Sequence, residues 1–140
     1  MKNKNNDILI KKISKRIARE AMNSTATHRT YKTTYKDIHK YFKIFNKLLF
    51  KGKLIPFNDI KIRKIHSTWA QFTEVFNNRK KTVSYWLEIL PEFPNRKEFL
   101  ISLAHEMIHY SQILNGKQAS HNDYFFSFKN KFKKLNLTLN

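Results

Sequence analysis

The 140 residues contain no cysteine, only 2 glycines and only 3 prolines. Without cysteine there can be no disulfide, no thiol nucleophile and no thiolate ligand, so any metal must sit on histidine and carboxylate. The same absence fits a reducing compartment. Two glycines are too few for the loops that cradle phosphates, which excludes the common nucleotide-binding motifs. No run approaches the roughly 20 apolar residues of a membrane span. The basic start, Met1-Lys2-Asn3-Lys4-Asn5-Asn6-Asp7, is not followed by the apolar stretch of an export signal. A cytoplasmic location is therefore expected. Acidic residues are scarce as well: 10 Asp+Glu stand against 28 Lys+Arg, a formal net charge of +18. Solubility alone asks for a magnitude of about 2 to 8 in a small domain, so the excess points to a polyanionic partner, nucleic acid first. No DNA-reading motif accompanies the charge, and non-specific phosphate contact is the expected mode.

What the chain does have is apolar material. Hydrophobic residues make up 41%, including 12 Phe, enough for one folded core rather than a disordered basic tail. From Ile8 to Met22, Leu9 or Ile10, Ile13, Ile17 and Ala21 fall at helical spacing among Lys11, Lys12, Lys15, Arg16 and Arg19. Such a basic amphipathic helix can pack on the domain, grip nucleic acid through Lys11, Lys12, Lys15 and Arg16, or lie on a membrane surface. Asn23 to Thr34 is Ser/Thr-rich and reads as a linker, so that residues 1–34 form a basic helix with its tether and residues 35–140 the main domain. A second helix is expected from Tyr35 to Lys51, started by Thr34 with Asp37 in capping-box spacing, buried through Ile38, Phe42, Phe45 and Leu49, and ended by Gly52. Three strands follow, Ile60–His66, Trp69–Phe76 and Thr82–Leu90, the last placing Val83, Tyr85, Leu87 and Ile89 on one face. Asn77–Lys80 supplies a hairpin loop. Near the end, Phe125, Phe128, Phe132 and Leu135 describe one amphipathic helix with a buried Phe row.

The chemistry gathers at Leu103-Ala104-His105-Glu106-Met107-Ile108-His109-Tyr110, an H-E-x-x-H pattern. Four helical residues advance by about 400°, so His105 and His109 project from one face one turn apart. On a helical wheel the histidine pair centres near about 20°, with Leu100, Leu103, Met107, Tyr110 and Leu114 around about 180°. Asn95 as N-cap with Glu98 three residues on, and Gly116 just past the end, bound a helix over Arg96–Asn115. Two imidazoles so placed can share a zinc ion, and Glu106 can reach a water beside it. A catalytic zinc needs a third protein ligand, for which His121 is the candidate and Asp123 the alternative. His39 and His66 have no partner at ligand spacing and are expected at the surface.

Phe45-Asn46-Lys47-Leu48-Leu49-Phe50-Lys51-Gly52-Lys53-Leu54, then Trp69-Ala70, then His105-Glu106-Met107-Ile108-His109 and the later His121 with Phe125-Phe126, resemble the SprT-like (Spartan-type) zinc metallopeptidases. The likeness spans about Tyr35 to Leu135, and the family includes DNA-dependent proteases and small phage proteins. Two departures stand out: Asn122 follows the third histidine where glycine is usual, and the cysteine-rich zinc ribbon of some members is absent. The resemblance implies an α+β, zincin-like minimal metalloprotease domain, a small three-stranded antiparallel or mixed sheet packed with helices. It also implies a zinc endopeptidase acting on DNA-associated proteins, with His105, His109 and His121 holding Zn²⁺ and Glu106 catalytic. Two other readings stay open: a basic nucleic-acid-binding protein whose zinc is structural or vestigial, and a phage structural or host-interaction protein that uses the domain as a scaffold.

Overall fold

The computed structural model describes residues 4–26 and 29–139. In chain order these form α1 (Lys4–Ala26), β1 (Tyr31–Lys32), α2 (Tyr35–Phe50), β2 (Asp59–Ile62), β3 (Ala70–Asn77), β4 (Thr82–Ile89), β5 (Glu92–Phe93), α3 (Arg96–Leu114), α4 (Asp123–Phe126) and α5 (Lys129–Lys134). The class is α+β. The sheet is mixed and three-stranded in the order β2-β4-β3, with β2 parallel and β3 antiparallel to β4; β1 and β5 make a separate antiparallel ladder.

Helix α3 runs through the middle of the core. Its expected apolar face is there, with Leu100, Leu103, Met107 and Tyr110 at 0% exposure, but Phe99, Ala104 and Ile108 are equally buried. Such all-round burial marks a core helix packed on more than one side. Both its ends form as the sequence requires. Asn95 Oδ1 accepts from the Glu98 N–H at 3.0 Å. At the other end the N–H groups of Gly116 and Lys117 donate to the carbonyls of Ile113 and Gln112 at 3.0 and 2.9 Å, a Schellman closure that needs the positive φ of Gly116, +76°. In the same way Thr34 Oγ1 accepts from the Asp37 N–H at 3.1 Å and starts α2, whose Ile38, Phe42, Phe45 and Leu49 are buried. Asn46, part of the pattern upstream of Gly52, clamps the following turn by bonding both the carbonyl and the N–H of Leu54, at 2.8 and 3.0 Å.

Several expectations change. Helix α1 continues past Met22 to Ala26 because serine does not stop a helix when its hydroxyl can turn back on the preceding turn; Ser24 Oγ donates to the Ala21 carbonyl at 3.0 Å. The rest of the expected linker is not free chain either. Residues 27 and 28 lie outside the described residues, but Tyr31 pairs with Phe93, packs 4.6 Å from the Phe99 ring and donates its hydroxyl to Asp37 at 2.6 Å. Helix α1 shares the core through Ile17 and Ala21, both at 0% exposure, and is tied to the rest by Lys97 N–H to Ser24 Oγ and Asn136 Nδ2 to the Ala18 carbonyl. Packing is thus one use of its apolar stripe. Strand β2 ends at Ile62 rather than His66, since the chain must turn away to reach β3 and does so through Ser67 at φ 62°. On β4, Leu87 and Ile89 are fully buried while Val83, near the hairpin tip, is 40% exposed, because the sheet outreaches the core there. The terminal helix is two short ones broken at Ser127–Phe128, yet Phe125, Phe128, Phe132 and Leu135 are buried as expected. Among the described residues no helix is long and apolar enough to cross a membrane.

Candidate metal centre

Helical geometry brings His105 and His109 together, with their Nε2 atoms 3.2 Å apart. The turn at Gly116 sends the chain back along α3 and delivers His121, whose ring centroid lies 5.3 Å from that of His105 and 5.1 Å from that of His109. One nitrogen from each of the three falls within 4.8 Å of the others. A tetrahedral ion with metal–nitrogen bonds of about 2.0–2.1 Å holds its ligand nitrogens about 3.3 Å apart. The helical pair already has that spacing, and the exposed His121 on its loop has only to close in. The residues therefore fit a metal ion. Asp123, the alternative ligand, is not part of the cluster; it occupies the first turn of α4 behind its N-cap Asn122. His39 and His66 are exposed and lie outside it too.

Phe125 forms the floor. It is at 0% exposure, and its ring centroid lies 4.8, 5.1 and 4.6 Å from those of His105, His109 and His121. Asn122 makes the residue after His121 intelligible. Its side chain caps α4 by accepting from the Phe125 N–H at 3.1 Å, and its own φ of −99° makes no demand for glycine. Gln112, which sequence reasoning passed over, is 2% exposed and bonds His109, Ser120 and Asn122 at once. A signal existed: seven residues after His105, Gln112 falls at about 340° on the same wheel, on the histidine face.

Burial and the neighbouring imidazoles favour neutral rings. Burial, then His109 and His121, hold His105 down to about 4, and burial lowers His109 as well. A neutral imidazole is the form that binds a metal. Glu106 sits beside them on α3, 9% exposed, and burial raises its carboxyl to about 8 although the Phe72 N–H of β3 hydrogen-bonds the charged form. For the metal-free protein these shifts act in opposite windows. The lowered His105 contributes stability above its ordinary 6.5 that is lost as the pH falls through about 4. The raised Glu106 contributes stability below its ordinary 4.5 that is lost as the pH rises through about 8. Between about pH 5.5 and 7, metal-free wild type should therefore lose stability relative to Glu106→Gln by up to about 1.4 kcal/mol per pH unit, measured by urea denaturation in chelator. Parallel curves for the two proteins would reject the buried, protonated Glu106.

The structure brings His105, His109 and His121 together, and Glu106 follows His105 on α3. Lys11, Lys12, Lys15 and Arg16 stand apart from these residues on the exposed side of α1, where Arg16 pairs with Glu20 at 3.3 Å. Compared with known proteins, the chain matches no family model, no curated protein and no solved structure.

Proposed function

We propose that this protein is a zinc-dependent endopeptidase of the SprT-like type with a zincin-like fold, acting on DNA-associated proteins. The observation that carries the reading is the convergence of three imidazoles from a helix and a loop next to a buried glutamate. Three histidines without thiolates suit zinc and leave a fourth position open, whereas a structural zinc would be closed by four protein ligands. When bound, zinc acidifies water and polarises a carbonyl. Glu106, as the carboxylate that the Phe72 N–H orients, would then take a proton from the attacking water and pass it to the leaving amine.

The sheet supplies a seat for the substrate. The Trp69 carbonyl accepts from the Leu90 N–H at 3.0 Å, so the alternation of β3 turns residues 69, 71, 73 and 75 toward β4. The backbone groups of Glu74 and Phe76 and the Phe72 carbonyl face the open edge, while the Phe72 N–H on the same edge is taken by Glu106. An extended peptide can add to that edge as a further strand. The test is zinc per chain after exhaustive dialysis. One zinc in wild type and much less in His121→Ala supports the reading; a wild type that takes up none, even after reloading, sinks it.

The charge of +18 favours a second reading, a basic nucleic-acid-binding protein in which the metal is structural or vestigial. In both readings Lys11, Lys12, Lys15 and Arg16 contact phosphate. Replacing all four with Gln should lower the magnitude of the slope of log affinity against log salt for duplex DNA by about 3.6. An unchanged slope would remove α1 from the interface. DNA binding that survives loss of the histidines, with no proteolysis in wild type, would favour the second reading over the first.

A further inference from the structure

Gln112 lies one helical turn beyond His109 and uses every hydrogen-bonding position of its amide. Its Oε1 is 2.9 Å from His109 Nδ1 and accepts from the Ser120 N–H at 3.2 Å. Its Nε2 donates to the Ser120 carbonyl at 3.0 Å and to Asn122 Oδ1 at 3.1 Å. The roles are fixed by the backbone. The N–H of Ser120 can only donate and its carbonyl can only accept, so the amide cannot be turned over. Asn122 Oδ1 is likewise fixed as an acceptor by the Phe125 N–H. His109 Nδ1 thus faces an acceptor, and in the neutral ring it must carry the proton. That leaves the lone pair on Nε2, the atom 3.2 Å from His105 Nε2.

We infer that Gln112 is a positioning residue that sets the tautomer of His109 and, through the same amide, ties that ligand to the loop carrying His121. One side chain then aligns two of the three imidazoles. Elsewhere a carboxylate or a main-chain carbonyl orients a metal-binding histidine, and losing it typically weakens metal binding 10–100-fold, on the order reported for such partners. A carboxylate here would satisfy His109 but would set its second oxygen against the Ser120 carbonyl and Asn122 Oδ1. The carboxamide is the group that serves both ends. The consequence for metal affinity rests on the metal reading given above; the tautomer does not.

The experiment is ¹⁵N NMR of the histidine rings in the metal-free protein at about pH 8, where an unperturbed imidazole is neutral, paired with zinc affinity by chelator competition. Wild-type His109 should be the Nδ1–H form. Gln112→Met, similar in length but without the acceptor, should shift toward the Nε2–H form and bind zinc at least about 10-fold more weakly. Gln112→Glu should keep the Nδ1–H form and still lose affinity through the freed loop. A residue of merely structural importance would lower thermal stability without moving the tautomer. Wild type in the Nε2–H form, or Gln112→Met with unchanged tautomer and affinity, overturns the inference. If Gln112→Met does not fold, the wild-type and Gln112→Glu spectra decide it. If wild type binds no zinc, the metal reading falls while the spectra still judge the role of Gln112.

Discussion

Glu106→Gln should cut proteolysis by about 10²–10⁴ while zinc content stays at the wild-type level, the range general acid–base groups contribute. The substitution is nearly isosteric, and the new amide oxygen can accept from the Phe72 N–H as the carboxylate does. What it loses is the ability to take and return a proton. It also removes a buried carboxyl whose ionisation opposes folding near neutral pH, so the variant should be at least as stable as wild type. Loss of activity with stability retained separates a chemical role from a structural one. The measurement is cleavage of a denatured protein substrate, with and without DNA, alongside metal analysis and a thermal melt. Full cleavage by Glu106→Gln at wild-type zinc content would show that the assigned base is wrong.

Phe125→Ala should cost about 3–5 kcal/mol of stability, as for other buried Phe-to-Ala changes, and should also impair the metal site. The two effects have one origin. Phe125 is fully buried and its ring touches all three imidazoles, so truncation opens a cavity directly beneath the ligands. The rings would gain rotamer freedom that metal binding must then remove. Phe132→Ala, at an equally buried position on α5, is the control. Both variants should lose comparable stability, but only Phe125→Ala should weaken zinc binding in protein that remains folded. Equal zinc affinity in the two folded variants would mean that Phe125 serves the core alone.

The parts of the fold legible in the sequence are those governed by neighbours within a turn or two. Asn95 with Glu98 and Thr34 with Asp37 start helices where they were expected to, and Gly116 ends α3 through a local Schellman closure. The pairing of His105 with His109 is of the same kind, since helical pitch alone brings them to one face. Readings that failed concerned contacts across long stretches of chain. Tyr31 becomes a strand because Phe93 and Phe99 are waiting for it, and no periodicity near Tyr31 announces them. The terminal Phe row fits a single helix by spacing, yet the core is filled by two short helices with a break at Ser127.

By itself, then, the sequence determined that any metal must rest on histidine and carboxylate, and that two histidines and a glutamate share one helix, because composition and helical pitch are local facts. Tertiary structure decided the rest of the site. It chose His121 over Asp123, set Phe125 under the three rings, brought the Phe72 N–H to Glu106, and joined His109 to the distant loop through Gln112. These are encounters between segments that lie apart in the chain, fixed by which surfaces the shared core buries and which polar groups it must satisfy.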